Sequence, residues 1–285
     1  MRLNRVVEVF QERGVDGLLR QTSAKAQYWH RRMTFRPHLI QKTLGGQTFR
    51  VAINNLFAQG WIECRREWPE LEWIKKNLLA EGDLVADCGA NNGFTTIFFA
   101  DAVGAAGHVV AFEPYPPNAR DIRQNVALNK FENVQVEEKA VGDRNGEVAM
   151  LAEPNGVIGV NKNRTMANVP MVRLDDMFPH TSPNLIKIDV EGYELQTLRG
   201  ATRIMESRPK LDIEVHPVYH EDRQGHCRAV FQMLANRHYD LFIQARVDGA
   251  IEPFIDGGDA VDELSSQDVF HVYARPRANQ STPAA

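Results

Sequence analysis

The segment 84–93, which reads Leu-Val-Ala-Asp-Cys-Gly-Ala-Asn-Asn-Gly, constrains the fold more than any other part of the chain. An apolar run stops at an acid, Asp87, and crosses a glycine-rich turn into residues that look like the start of a helix. A strand that ends in this way binds a nucleoside-type ligand over the turn, at the carboxyl edge of a parallel sheet. Gly89 and Gly93 would let the backbone approach that ligand, where a Cβ atom would clash. Asp87 is placed to accept from an ammonium group or a ribose hydroxyl.

A second apolar run, residues 108–113, also ends in an acid, Glu113, which follows Gly93 by twenty residues. A carboxylate at this spacing is placed to take both hydroxyls of a ribose. The turn lacks the additional glycine that a dinucleotide-binding fold uses to admit a pyrophosphate, and the chain has no Walker motif. An acid before the turn would repel phosphate, whereas it suits the positively charged methionine end of S-adenosylmethionine. The alternative is a glycine turn that only connects a strand to a helix.

Length and composition are those of a globular protein with room for one large domain and an extension: 285 residues, 43% hydrophobic and 25% charged. The net charge of -4 gives no reason to expect a general affinity for nucleic acid. The charge is uneven, because residues 1–36 carry eight basic side chains against three acids. We therefore expect no nucleic-acid partner, and the sequence leaves the oligomeric state open.

The cysteine content and the hydropathy pattern bear on the compartment. Cys64, Cys88 and Cys227 have no metal-ligand spacing and no obvious partners, and an odd, sparse set indicates a reducing compartment. No stretch of 18 apolar residues exists, so we expect no integral membrane segment. The N-terminus lacks an apolar signal core, so export is not indicated. We expect a cytoplasmic protein.

From residue 84 onward, strand and helix patterns alternate, which predicts a mainly parallel sheet with helices on both faces. The last two strands have no convincing helix between them, so we expect a hairpin and an antiparallel last strand. A seven-stranded, mostly parallel sheet with that ending is typical of Rossmann-like class I methyltransferases. We expect extra edge strands near 147–152 and 169–174. The predicted strands are 84–89, 108–113, 133–139, 184–190, 210–216, 239–244 and 268–274, and the predicted helices lie near 92–103, 117–130, 192–207 and 226–237.

The N-terminal part of the chain has a different pattern. Residues 2–33 look helical, with a broken apolar stripe and basic side chains between its members. We interpret this segment as a helix packed on the main domain, and the alternative is a helix that binds a membrane surface or an acidic partner. A short strand is predicted over 48–53 and a helix over 69–79.

A second acidic strand end lies at Asp189 and Glu191, in the segment Leu-Ile-Lys-Ile-Asp-Val-Glu-Gly. By its order in the chain this strand should lie next to the first strand, which would bring both acids close to the reactive end of a bound cofactor. Glu191 has a second interpretation, because an acid here also favours the positive end of the following helix. Glu194 fits a first-turn helix acid better than a catalytic group.

The next strand ends in Glu214 and His216, which share one face by the period of two. A histidine at this position is a natural general base, because its pKa lies near operating pH, and Glu214 or Asp189 would orient it. The alternative is a structural histidine bonded to the glutamate or to the loop backbone. His220 and His226 follow in a polar loop, and we interpret both as surface residues.

Five segments together resemble the FkbM family of S-adenosylmethionine-dependent methyltransferases. The resemblance covers roughly residues 80–274. The segments are 87–93, Phe-Glu-Pro at 112–114, Ala-Val-Gly-Asp at 140–143, Ile-Asp-Val-Glu-Gly at 188–192 and Glu-x-His at 214–216. The resemblance implies that the cofactor contacts Asp87, Gly89, Asn91, Gly93, Glu113, Pro114, Val141, Asp143 and Asp189, with Asp143 facing the adenine amino group.

The resemblance also implies a function, most often O-methylation of a hydroxyl on a secondary metabolite or a carbohydrate. In that case His216 serves as the base, and Asp189, Glu191 and Glu214 complete the catalytic group. A divalent metal held by these four side chains is a second interpretation, which we do not favour. Two rivals are a non-catalytic binding protein of the same fold and a non-methyl transferase. We divide the chain into a mostly helical extension over 1–79 for docking or acceptor binding, a methyltransferase domain over 80–275 and a flexible tail over 276–285.

Overall fold

The structure is a computed structural model, and it describes residues 30–65, 67–158, 165–235, 237–246, 249–255 and 259–277. It contains two compact units: Met1–Ile40 with Ala52–Arg66, and Gln41–Val51 with Glu67–Ala285. In the smaller unit residues 30–34 are helical, α1 spans Leu56–Ala58, and a π-helical turn spans Gln59–Glu63. The side chain of Asn55 caps α1 by accepting from the Ala58 N–H at 2.8 Å.

Two strands precede α1 in the chain. β1 spans His38–Leu44 and β2 spans Gln47–Ile53, and they form a two-stranded sheet. The strand predicted over 48–53 is confirmed, whereas β1 was missed because its alternating residues are mostly polar or half-exposed. The helix predicted over residues 2–33 lies outside the described residues, apart from its last turn. No helix in the described ranges is long and apolar enough to cross a membrane.

The larger unit alternates strands and helices from residue 69 onward. Its strands are β3 Leu84–Cys88, β4 His108–Phe112, β5 Val134–Glu137, β6 Ala140–Val141, β7 Gly146–Leu151, β8 Met166–Val172, β9 Leu185–Ile188, β10 Lys210–Val215, β11 Tyr239–Gln244, β12 Glu252–Pro253 and β13 Phe270–Pro276. Its helices are α2 Pro69–Asn77, α3 Phe94–Val103, α4 Pro116–Asn129, α5 Leu174–Met177, α6 Glu194–Arg199, α7 Thr202–Glu206, α8 Arg223–Ala235 and α9 Ala260–Leu264.

The main sheet has the strand order β12-β11-β13-β10-β9-β3-β4-β5. β9, β3, β4 and β5 run parallel to their neighbours, and β10 is parallel to β9. The last strand, β13, inserts between β10 and β11 and is antiparallel to both. The predicted Rossmann-like sheet and its antiparallel last strand are therefore confirmed. β12 adds a two-residue edge strand.

Two expectations about connections were wrong. The link before the last strand contains a five-residue helix, α9, as well as β12, so it is not a plain hairpin. The segments expected as edge strands do not join the main sheet. Instead β7 and β8 pair with each other and with β6 in a separate three-stranded sheet. This small sheet buries its own apolar cluster, which includes Met150, Val169 and Met171.

The central strands are buried on both faces, as expected for a parallel sheet covered by helices. All four residues of β9 are buried, including the lysine at 187, and β3 has only its first residue partly exposed. β3 lies between β4 and β9, and its last residue, Cys88, pairs with Phe112 and Ile188. The carboxyl ends of β3, β4 and β9 therefore meet at one edge of the sheet, which positions the site.

Candidate functional site

A cavity of about 550 Å³, part of it open to solvent, lies at the carboxyl ends of β3, β4 and β9. The walls combine apolar side chains, among them Phe112, Met150 and Ile158, with polar groups. The predicted site residues that line it are Gly89, Asn91, Glu113, Pro114, Val141, Asp189 and Glu191.

The glycine turn after β3 adopts the backbone conformation that glycine favours. Gly89 and Gly93 have φ angles of 81° and 80°, and Gly93 is the N-cap of α3. We expected these glycines to make room for a ligand, but the space is taken by protein. A Cβ atom on Gly89 would lie 1.7 Å from the Asp189 carbonyl oxygen, and one on Gly93 would lie 3.0 Å from the Ile122 Cα. These glycines therefore let β9 and α4 pack against the turn.

Asp87 is completely buried and, among the described residues, is not one that lines the cavity. Its Oδ2 accepts from the Thr96 hydroxyl at 2.6 Å, and Thr95 contributes a longer hydrogen bond of 3.4 Å. Lys187 Nζ lies 3.8 Å from its Oδ1. The structure thus gives Asp87 protein partners and places it beneath the turn, where it anchors the start of α3.

Glu113 lines the cavity directly after β4 and is held in place by the backbone. It accepts from the N–H of Asn91 at 2.8 Å and from the N–H of Tyr115 at 2.9 Å. Burial raises the pKa of Glu113 to about 8, and the two backbone donors oppose that rise. The carboxyl group is therefore fixed in direction and close to its titration point near neutral pH.

The loop that follows β7 forms one wall of the cavity. The carbonyl oxygen of Pro154 accepts from the side-chain amides of Asn91 at 3.0 Å and Asn118 at 2.8 Å. Val141 lines the cavity from β6, but Asp143 does not. Asp143 is half-buried and pairs with Arg144 at 3.3 Å, and the adenine contact expected for it stays a prediction.

Lys187 contacts two of the predicted site residues, and our sequence reasoning missed it. It is buried in β9, with its Nζ 3.0 Å from Asp189 Oδ2 and 3.8 Å from Asp87 Oδ1. Despite the opposing effect of burial, the charges of Asp189 and Asp87 raise its pKa above the usual range. Burial would raise the pKa of Asp189, but the charge of Lys187 outweighs that effect and lowers it. A lysine inside the apolar run of β9 was the available signal.

His216 follows β10 and is buried among carboxylates. Its Nδ1 lies 2.9 Å from Glu194 Oε1, while its Nε2 lies 3.5 Å from Glu191 Oε2 and 3.7 Å from Glu214 Oε1. Glu194 is therefore the carboxylate that orients the ring, in place of the expected Glu214 or Asp189. The prediction that Glu214 and His216 share a face is confirmed. The sequence pattern indicates only a helix acid at Glu194, because its partner His216 lies 22 positions away in the chain.

The carboxylates around His216 change its protonation. Burial alone would lower the pKa of His216, but the hydrogen bond with Glu194 and the charges of Asp189, Glu194 and Glu214 raise it to about 10. Burial and the charge of Asp189 raise the pKa of Glu214. At neutral pH His216 therefore holds its proton, which is the wrong state for a base, while Glu214 titrates closer to neutrality.

We expected His226 and His220 to lie on the surface, and this expectation was wrong. His226 is buried on α8, and its Nε2 lies 3.2 Å from Glu194 Oε2. His220 is half-buried and stacks on His226, with ring centroids 3.6 Å apart and planes 14° apart. The expectation failed because residues 223–235 form a helix that turns His226 inward. Burial and the neighbouring His226 lower the pKa of His220.

Two groups of side chains in the described ranges have the spacing of metal ligands. One is Asp189, Glu214 and His216, and the other is Glu194, His220 and His226. In each group the ligand atoms lie within 4.8 Å of one another. The first group contains three of the four side chains that we considered as metal ligands from sequence, and it leaves out Glu191.

Comparisons with known proteins bear on the family of the chain. Residues 87–241 match the family model described as Methyltransferase FkbM domain. Hexuronic acid methyltransferase AglP from Haloferax volcanii is 25% identical over 141 residues, which cover 48% of this chain and 57% of that protein. Methyltransferase 1 from Beauveria bassiana is 24% identical, and the match covers 46% of this chain and 67% of that protein. The chain thus spans little more than half the length of the first of these relatives.

A solved structure, methyltransferase FkbM from Methylobacillus flagellatus, superposes with a TM-score of 0.49 at 19% identity and covers 74% of this chain and 48% of that chain. The family match extends from Asp87, at the end of β3, into β11, and so includes the whole carboxyl edge of the parallel sheet. It covers more than half of the chain. The chain therefore belongs to the FkbM family of methyltransferases.

Proposed function

We propose that this protein transfers a methyl group from S-adenosylmethionine to a hydroxyl oxygen of a carbohydrate-type or secondary-metabolite acceptor. The observation that carries the proposal is the juxtaposition of the Glu113 cavity with the acidic group Asp189, Glu191, Glu214 and His216 at one sheet edge. One matched relative is a hexuronic acid methyltransferase, which acts on an acceptor of this chemical class.

The residues around the cavity suit S-adenosylmethionine. Glu113 presents a carboxyl group whose direction is set by two backbone N–H groups, as needed to accept from two ribose hydroxyls. Apolar walls at Phe112, Val141 and Ile158 suit a flat base. Asp189 stays ionised beside Lys187 and offers a negative charge to the cationic end of the cofactor. When bound, the cofactor supplies an electrophilic methyl group on a positively charged sulfur.

Deprotonation of the acceptor hydroxyl is the task that remains for the protein. We assign it to Glu214 in place of His216. Glu214 is the better proton acceptor because burial and Asp189 raise its pKa, and because its side chain is 22% exposed against 8% for His216. The protonated His216, held by Glu194, would stabilise negative charge on Glu214 and direct it. Glu191 also lies 3.5 Å from His216 Nε2 and completes the group.

The test combines binding with turnover. Isothermal titration with S-adenosylmethionine and S-adenosylhomocysteine reports the cofactor, and methyl transfer to a panel of hydroxylated sugars and sugar acids reports the acceptor. Cofactor binding with transfer to a hydroxyl supports the proposal. Binding without transfer to any acceptor class would favour a non-catalytic binding protein. Failure to bind either cofactor form would favour a transferase of another kind, since S-adenosylhomocysteine is the product of every methyl transfer from this cofactor.

A further inference from the structure

A second group of ligand-type side chains, Glu194, His220 and His226, lies beside His216, and of its members the proposed reaction uses only Glu194, which holds His216. The three residues come from different places in the fold: Glu194 begins α6, His220 follows a helical turn over Pro217–Tyr219, and His226 lies in the first half of α8. One carboxylate oxygen and one ring nitrogen from each histidine lie within 4.8 Å of one another.

Each member of this group is held in position. Glu194 is completely buried and uses Oε1 to accept from the Gly192 N–H at 2.7 Å and to contact His216. Its Oε2 is directed at His226 Nε2, 3.2 Å away. The ring of His220 stacks on that of His226, which holds the two imidazoles together.

His220 contributes a buried nitrogen to the group. Its Nε2 forms no hydrogen bond of good geometry with the described residues, and the backbone of Gly192 lies beside the ring. A buried polar atom without a partner is uncommon, and a bound ion is one arrangement that would satisfy it. The ring of His220 is anchored by its stack on His226, so its buried nitrogen has a defined place in the cluster.

We propose that Glu194, His220 and His226 bind one divalent transition-metal ion, with Zn²⁺ as the best match. Two imidazoles and one carboxylate are a ligand set that Zn²⁺ takes, whereas Mg²⁺ and Ca²⁺ prefer oxygen ligands. The ligand atoms are close enough for bonds of about 2.0–2.2 Å to a shared ion after small side-chain movements. The ion would give His220 Nε2 a partner and would tie the loop after β10 to α6 and α8.

The site is coupled to the candidate catalytic group through Glu194. Binding of the metal to Oε2 leaves Oε1 with His216 Nδ1, so the ion would help to hold the carboxylate that orients His216. The ion has no place in the methyl-transfer step. Its binding can therefore be measured without an acceptor and without the cofactor.

The experiment uses the full-length protein after treatment with a chelator and buffer exchange. Zn²⁺ affinity is measured by competition with a chromophoric chelator, and Co²⁺ is added to follow its visible absorption as it enters a site with nitrogen ligands. We expect one equivalent of Zn²⁺ and one Co²⁺ spectrum. His220→Ala and His226→Gln should each weaken Zn²⁺ binding by at least about 10-fold. The exposed His180 serves as the matched control, and His180→Ala should keep the affinity of the unmodified protein.

Three outcomes would overturn the proposal. The first is the absence of stoichiometric Zn²⁺ binding by the unmodified protein. The second is unchanged affinity in His220→Ala, a substitution at a half-buried loop residue that is expected to fold and that thermal denaturation can check. The third is loss of binding in Glu214→Gln with retention in His220→Ala, which would locate the ion in the group Asp189, Glu214 and His216 instead.

Discussion

Glu194 Oε1 lies 2.9 Å from His216 Nδ1, and the carboxylate that makes this contact is completely buried. Burial opposes ionisation of Glu194, but hydrogen bonds with His216 and His226 and the charge of His216 lower its pKa to about 2. The two residues are 22 positions apart and come from the start of α6 and the end of β10. The orientation of the histidine at the candidate site therefore depends on packing between elements.

The base assignment makes a prediction about Glu214. Glu214→Gln should lower kcat by about 10²–10⁴-fold, because the amide cannot accept the proton of the acceptor hydroxyl. Affinity for S-adenosylhomocysteine should stay within about threefold of the unmodified protein, since Glu214 is not among the residues that line the cavity in the described ranges. Steady-state kinetics and isothermal titration measure the two quantities. Glu147→Gln, on the exposed start of β7, is the control and should change neither.

The alternative assignment to His216 is tested by the same assay. If His216→Gln loses turnover while Glu214→Gln keeps it, the base is the histidine that the sequence indicated. If both variants lose cofactor affinity together with turnover, Glu214 and His216 stabilise the structure of the site and neither is the base.

The raised pKa of Glu113 leads to a prediction about how cofactor affinity depends on pH. Its pKa of about 8 means that the free protein holds a mainly neutral carboxyl at pH 6.5, whereas two ribose hydroxyls donate best to the ionised form. Below pH 8, binding of the cofactor must therefore release a proton from Glu113. The affinity for the cofactor should increase as pH rises and level off above pH 8. Between pH 6.5 and 8.5 the gain should be about 20-fold, as titrations with S-adenosylhomocysteine at several pH values would measure.

Glu113→Gln is the matched control for that pH dependence. The amide cannot ionise, so the affinity of this variant should be weaker by about 1.5–3 kcal/mol at pH 8.5 and should vary little with pH. A pH dependence equal to that of the unmodified protein would assign the titration to another group. Affinity equal to that of the unmodified protein at pH 8.5 would remove Glu113 from the ribose contact.

Gly89 and Gly82 form a natural pair for a stability measurement. Both have positive φ angles, 81° and 85°, so alanine at either position incurs a similar backbone cost of about 1–2 kcal/mol. A Cβ atom on Gly82 meets nothing within 4 Å, whereas one on Gly89 would lie 1.7 Å from the Asp189 carbonyl oxygen. Gly89→Ala should therefore reduce the free energy of unfolding clearly more than Gly82→Ala in urea denaturation. Equal losses would mean that the turn can move away from β9.

Asp175 lies away from the site, and its hydrogen bonds lead to a prediction about the free energy of unfolding. Its carboxylate accepts from the N–H groups of Arg203 and Ile204, both at 3.0 Å, and from the Thr202 hydroxyl at 3.1 Å, and so caps α7. Asp175→Ala should lower the free energy of unfolding by about 2–4 kcal/mol, because three donors, one of them on the buried Ile204, lose their acceptor. Asp176→Ala, at the exposed neighbouring position, should cost less than about 1 kcal/mol. Similar losses in the two variants would show that the cap contributes little.

The sequence by itself predicted the fold and the position of the cofactor edge. Apolar runs that end in Asp87 and Glu113, with a glycine turn after the first, are local patterns, and local patterns determine where strands end. The fold class, the strand order around β3 and the antiparallel last strand followed from them. The cavity is lined by Gly89, Asn91 and Glu113, which the strand-end patterns predicted as site residues.

Tertiary structure alone decided which of these groups are available for chemistry. Asp87 has the same strand-end position as Glu113, yet packing of α3 buries it against Thr96 and only Glu113 lines the cavity. His226 turns inward because α8 packs against α6, which brings it to Glu194. Burial, ion pairing and pKa depend on neighbours that are distant in the chain. A strand pattern can therefore indicate where a carboxylate lies, while the partners that set its charge and direction come from the packed structure.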